Sequence, residues 1–268
     1  MSIDFIESRA ALGGADLDPA IHPPLTMHDL LRALATADHG VEYSPVSTVQ
    51  DGRRVQLERY VFIGPESTHQ PFRLAVFGAL RGDDRFSPYA IAEFIRDLIN
   101  QPGLATGFHL YFYPVAHPTQ YADPAATVSA GRDLFVDLWQ DSSRPEPYLI
   151  ERELAVVQFH GVIALFALKG LGGLSVQLHG SWSSLRESLV LPVLADAAEF
   201  HPIARPGDWV ASRRLSLTAG GGLHPKPFEL SVKIPQATPA REQILAQRVT
   251  LHSILRHYRA VVAESQHL

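Results

Sequence analysis

The sequence predicts an α/β fold, a single domain with a mixed, mostly parallel, twisted sheet and helices on both faces. Three observations predict it. Apolar runs of strand length alternate with segments of helical spacing, the order that lays helices over a parallel sheet. The 268 residues are 46% hydrophobic and 19% charged, enough for one large core. No repeat, low-complexity tract or linker separates a second domain, so residues 1–268 read as one unit with a loosely ordered segment over 1–24.

The elements follow in order. TMHDLLRALATADHG reads as a short helix, with Thr26 as cap and Gly40 as stop. Residues 55–64 (VQLERYVFIG) and 72–80 (FRLAVFGAL) are rich in β-branched and aromatic side chains and read as strands. SPYAIAEFIRDLINQPG carries Ile91, Phe94, Ile95 and Leu98 at helical spacing, with Ser87 as cap, Pro88 in the first turn and Pro102-Gly103 at the end. FHLYFYPVA is the next strand. The polar, turn-rich stretch HPTQYADPAATVSAGRDLFVDLW reads as a long loop of the kind that carries function. EPYLIERELAVVQFHG is a helix, GVIALFALK and LSVQLHG are strands, and SSLRESLVLPVLADAAEF is a helix kinked at Pro192. RRLSLT and PFELSVKIP are late strands, and an amphipathic helix closes the chain from about Ala240 to about Glu264.

Composition narrows the function. A net charge of −5 offers no electrostatic reason for a nucleic acid or an anionic membrane as partner. With no cysteine, disulfides, thiolate metal sites and a thiol nucleophile are excluded. MSIDFIESRAALGG lacks the apolar core of a signal peptide. VIALFALKGLGGLSVQL is broken by Lys169 and three glycines, which fits two core strands and a turn better than a membrane span. A soluble, cytoplasmic protein is expected.

Four stretches carry candidate chemistry. GALRGDD ends a strand with Arg81, Asp83 and Asp84 in a glycine-flanked turn, where α/β proteins build active sites. YFYPVAHPTQY places His117 at the start of the long loop, GRDLFVDLW holds Asp133, and ELSVKIP puts Lys233 near the end of a strand. In this order the four resemble the zinc carboxypeptidase superfamily, including its succinylglutamate desuccinylase and aspartoacylase-like branch, from about Phe72 to about Tyr258.

The resemblance implies a zinc hydrolase, yet this sequence departs from its motifs. The family's GxHGDE supplies a His and a Glu to zinc; Arg81 and Asp84 stand in their places. Its Asn-Pro loop is His117-Pro118 here. In its GxDLNR segment, Gly131, Asp133 and Leu134 match, but Phe135 and Val136 replace the Asn and Arg that grip the substrate carboxylate. Its general acid/base Glu is Lys233. Its third ligand, a His, falls within GVIALFALKG, with Ala167 as the best alignment and an error of a residue or two.

The replacements argue against the family's reaction. Catalytic zinc needs about three N or O side-chain ligands. Arginine stays protonated and has no lone pair to offer. At ~4 Å and an effective dielectric of ~20, a like unit-charge pair costs roughly 4 kcal/mol, and a divalent ion about double. Lys233 is a poor substitute for a Glu that takes a proton from water. No catalytic residue and no cofactor is therefore expected, although zinc would be the family's metal. An Arg81–Asp84–Lys233 charge cluster is expected in the vacated site, either purely structural or as a pocket for a small anion such as a carboxylate. Arg81, Asp84, His117, Asp133 and Lys233 are the candidate ligand-binding residues, and a small anionic ligand or a protein partner the expected partner.

Two other readings stay open. One is an active hydrolase with a relocated metal site drawn from His117, His109, His179 and Asp133. The other is a scaffolding subunit using the 117–139 and 219–222 loops. There is no HExxH, no GxSxG elbow around Ser181, and no GK[ST] after AGGGLHP.

Overall fold

A computed structural model describes residues 27–36, 40–50, 52–65, 71–122, 145–179, 183–204 and 227–266. At its centre is β7 (Gly161–Leu168), GVIALFAL, buried everywhere except at Leu168. Such a run fits a strand covered on both faces. It pairs in parallel with β5 (Phe72–Phe77) and with β9 (Phe228–Pro235), and β5 pairs in parallel with β6 (Phe108–Tyr113). Antiparallel strands extend both sides: β4 (Tyr60–Ile63) and β1 (Val41–Tyr43) beyond β6, and β8 (Ser175–His179) beyond β9. The order is β1-β4-β6-β5-β7-β9-β8, a mixed and mostly parallel sheet as the sequence predicts.

A separate hairpin, β2 (Val46–Gln50) and β3 (Arg53–Leu57), lies between β1 and β4 in the chain. The strand expected over 55–64 is thus two strands in two sheets. The chain crosses between them at Glu58-Arg59, where the Arg59 guanidinium reaches Glu153 Oε2 at 2.6 Å and Ser44 Oγ at 2.7 Å. A rigid fork with separate donors suits such a crossing.

The helices are α1 (Met27–Thr36), α2 (Ser87–Asn100), α3 (Pro118–Ala122), α4 (Pro145–Val157), α5 (Ser183–Leu185), α6 (Leu191–Ala198) and α7 (Ala240–Gln266). In α2 the predicted stripe of Ile91, Phe94, Ile95 and Leu98 is buried, and Pro88 sits in the first turn. Ser87, expected as its cap, is not: Phe86 holds that position without a capping side chain, and Ser87 Oγ accepts the Ala79 N–H at 2.7 Å. The break expected at Pro192 is a change of helix type. A π-helical turn over Arg186–Val190 gives way to α6, with Pro192 in its first turn, so the residue without an N–H sits where the backbone ladder changes type.

Side chains alternate across the sheet. Leu74, Val76, Ile163, Leu165, Ala167, Val232 and Ile234 join the core on the side of α2, α6 and α7. Ala75, Phe77, Val162, Ala164 and Phe166 pack with Leu149, Ile150 and Leu154 of α4 on the other. Helices therefore cover both faces. The RRLSLT strand, the 1–24 segment, and the loops at 123–144 and 219–222 lie outside the described residues.

Candidate functional site

The parallel strands β5, β6, β7 and β9 all end on one edge of the sheet, where α/β folds place ligands. At the end of β5 the chain turns sharply. Gly78 has no room for a side chain, since a Cβ there would lie 2.7 Å from the Pro114 carbonyl oxygen. Ala79 takes a left-handed φ of +45°, unusual for alanine. It is held by the Ser87 hydroxyl on its N–H and by the His117 N–H on its carbonyl, 3.3 Å away.

Arg81 sits in this turn with its guanidinium forked onto Asp83, Nε to Oδ1 at 3.0 Å and Nη2 to Oδ2 at 3.3 Å. Asp84 is 1% exposed, and its Oδ1 accepts the Ser87 N–H at 3.2 Å. Its Oδ2 has no hydrogen-bond partner. Burial pushes its carboxyl up to about 6, Ser87 and the Phe86 amide pull it down, and Asp83 raises it. His117 is buried at the end of β6, with Nδ1 3.7 Å from Glu146 Oε1 in the first turn of α4. The Thr119 hydroxyl donates to the same Glu146 oxygen.

Lys233 lies at the same edge of the sheet, two strands away. It is 2% exposed on β9, on the α4 side of the sheet, and donates to Gln177 Oε1 at 2.7 Å. The expected Arg81–Asp84–Lys233 cluster does not form: no ion pair joins Asp84 to either cation. The reason is geometric. β7 separates β5 from β9, so these strands stand about 10 Å apart. Asp83 also competes locally for Arg81, and Asp84 turns back onto the start of α2. On β7, Ala167 and its neighbour Phe166, within the residue or two of the alignment, point to opposite faces. Ala167 faces the α7 core, whereas Phe166 is the β7 residue opposite Lys233.

Of the alternative ligands, His109 lies near the start of β6, at the opposite edge of the sheet, where burial and Arg73 lower its pKa. His179 ends β8, with Nε2 2.8 Å from Ser231 Oγ. Asp133 lies outside the described residues. The turn after β5 holds Arg81, Asp83 and Asp84, with His117 beside it; Ala167 and Lys233 end the next strands along the same edge without an ion pair to Asp84, and His109 lies at the opposite edge.

The sequence reading missed the surroundings of Lys233. Ser175, Gln177 and His179 on β8 and Glu229, Ser231 and Lys233 on β9 share one face, and all but His179 are buried. The signal was present as polar residues at every second position of SVQLH and FELSVKIP.

No family model matches the chain, and no curated protein matches it in sequence. Solved structures do match. A provisionally assigned metallopeptidase from Shewanella denitrificans OS217 superposes with a TM-score of 0.63 at 15% identity, covering 86% of this chain and 88% of that one. A similar provisional metallopeptidase from Shewanella amazonensis SB2B gives 0.62 at 15% identity, over 86% and 91%. A metallo-carboxypeptidase from Pseudomonas aeruginosa, in complex with (2-guanidinoethylmercapto)succinic acid, gives 0.60 at 15%, over 89% and 68%.

The fold is zinc-carboxypeptidase-like.

At these identities the likeness is one of fold, and a zinc-carboxypeptidase-like fold says nothing by itself about chemistry. Among the described residues, no group of three His, Cys, Asp or Glu side chains converges to hold a metal. Arg81 is committed to Asp83, and Phe166 on β7 offers no donor. The described residues do not supply the set of ligands that catalytic zinc needs. No described helix is long and apolar enough to cross a membrane.

Proposed function

We propose that this chain is a catalytically degenerate protein on the zinc-carboxypeptidase-like fold, a pseudoenzyme that binds a small anionic ligand rather than hydrolysing an amide. The observation that carries this reading is the strand end of β5. Arg81, at the position where the family resemblance calls for a histidine ligand, is forked onto Asp83, while Asp84 is turned onto the Ser87 amide. A guanidinium there repels a dication, and a single carboxylate is too few ligands.

The test is elemental analysis of protein purified without chelator or tag, before and after incubation with excess zinc. It is paired with assays on peptides with free C-termini and on N-acyl amino acids. The expected result is far less than one zinc per chain and no hydrolysis above buffer. One zinc per chain with chelator-sensitive hydrolysis would overturn the reading.

A further inference from the structure

We propose that the cavity at the carboxyl ends of β7 and β9, not the Arg81 turn, is the ligand site, and that it takes a small carboxylate with an apolar chain. The inference rests on the proposed non-catalytic reading and deepens it by naming the site and the ligand chemistry.

Leu168 ends β7 and Pro235 ends β9, and the two are register partners, two residues beyond Phe166 and Lys233. They stand at the edge of the sheet where parallel strands place ligands. A cavity of about 290 Å³ opens there. That is near the lower end of the roughly 300–1,000 Å³ of small-molecule sites, which suits a short chain with one head group. Leu168, Leu171, Pro235 and Ala237 line it, so most of its wall is apolar. Such a wall favours hydrocarbon and penalises a bare, strongly hydrated ion.

Two polar residues of the cavity define the head group. Lys169 lines it, is exposed, and forms no ion pair among the described residues. A lysine so placed lays its stem along apolar surface and keeps its ammonium in water, where it can meet a carboxylate. Gln236 lines the cavity as well. Its backbone is held on both sides, the N–H by the Leu168 carbonyl at 2.9 Å and the carbonyl by Gln243 Nε2 at 3.0 Å. Its side-chain oxygen is buried and meets no hydrogen-bond partner among the described residues. A half-turn of that amide presents N–H donors in place of the oxygen, as an oxyanion needs. No acidic side chain lines the cavity among the described residues. An apolar chain ending in one carboxylate complements both the wall and the cation. A chain ending in an ammonium would meet Lys169 as a like charge.

The experiment uses the full chain, with octanoate as probe and octylammonium as a chain of the same length and opposite charge, at constant ionic strength. Calorimetric titration and melting temperature are the readouts. Octanoate is expected to bind saturably and octylammonium not to bind. Lys169→Met keeps the stem and removes the charge, and is expected to weaken octanoate roughly twofold to fivefold, the worth of an exposed ion pair. Ala237→Trp puts an indole into the cavity and is expected to weaken it about tenfold or more. Both positions are exposed, so neither change disturbs the core. Arg81→Met is expected to bind as the unaltered chain does. The proposal is overturned if octanoate does not bind saturably, if octylammonium binds as tightly, if either cavity variant binds as the unaltered chain does, or if Arg81→Met abolishes binding. Zinc content and hydrolysis measured on the same preparations report separately on the non-catalytic reading.

Discussion

Burial lifts the Asp84 carboxyl from 3.8 to about 6, and the hydrogen bonds from Ser87 and Phe86 offset this only in part. A raised carboxyl pKa means that the folded chain holds the proton more tightly than the unfolded chain. Its contribution to stability is therefore full below about pH 4 and is lost as pH rises through about 6. The shift corresponds to roughly 3 kcal/mol. Asp84→Asn abolishes this titration. Urea denaturation at pH 4 and pH 7 is expected to show the unaltered chain losing up to about 3 kcal/mol relative to the variant between the two. Equal changes in both proteins would show that Asp84 titrates normally. Such an environment was not legible in the sequence. GALRGDD shows an arginine and two acids within four residues, but not which acid the arginine takes or which one the fold buries. Asp83 wins because its carboxylate meets the guanidinium fork, and Asp84 is buried because its turn feeds straight into α2.

Between elements, α7 is fastened to two neighbours in the same manner. Asp97 on α2 receives Arg248 Nε at 2.5 Å, Arg248 Nη2 at 2.8 Å and His252 Nε2 at 2.7 Å. Asp196 on α6 receives Ser253, Arg256 and His257. Arg248 and Asp97 are the better shielded pair, with side chains 15% and 13% exposed, whereas the Arg256 side chain is 54% exposed. Asp97→Ala is thus expected to cost about 2–3 kcal/mol by leaving the shielded Arg248 with Glu93, 3.9 Å away, as its remaining carboxylate, and Asp196→Ala under about 1 kcal/mol. Thermal unfolding of the two variants decides this, and equal losses would contradict it. The hydrogen bonds and ion pairs of Asp97 also depress its pKa, so its contribution stands above about pH 4 and fades in acid. Element legibility followed local signal. α2 and α7 were readable because their apolar residues recur at helical spacing. The β2–β3 hairpin was missed although Asp51-Gly52 is a hairpin-turn dipeptide, and Gly52 does take φ +73°. Its second strand was merged with β4, because no glycine or proline marks the crossing at Glu58-Arg59. That crossing is set by Glu153, nearly a hundred residues away in sequence.

For the molecule as a whole, the sheet was legible as a class and its order was not. Strand runs alternating with helices predict a parallel sheet, but pairing β9 between β7 and β8 requires contacts that no local pattern encodes. If the fold is held by this packing rather than by a metal, chelation is expected to leave its melting temperature unmoved. A fall of several degrees on treatment with EDTA would point to a structural ion instead. The strand order also bears on how the protein is made. On the ribosome, β7 and β8 emerge before β9, the strand that pairs with both among the described residues. β9 begins at Phe228, some fifty residues after β8 ends at His179. Until it arrives, β7 and β8 lack the strand that joins them, and α7 is not yet there to complete the cover of one face. The centre of the sheet cannot close before β9 has been made, and during that interval the unfinished chain is at its most exposed to misassembly.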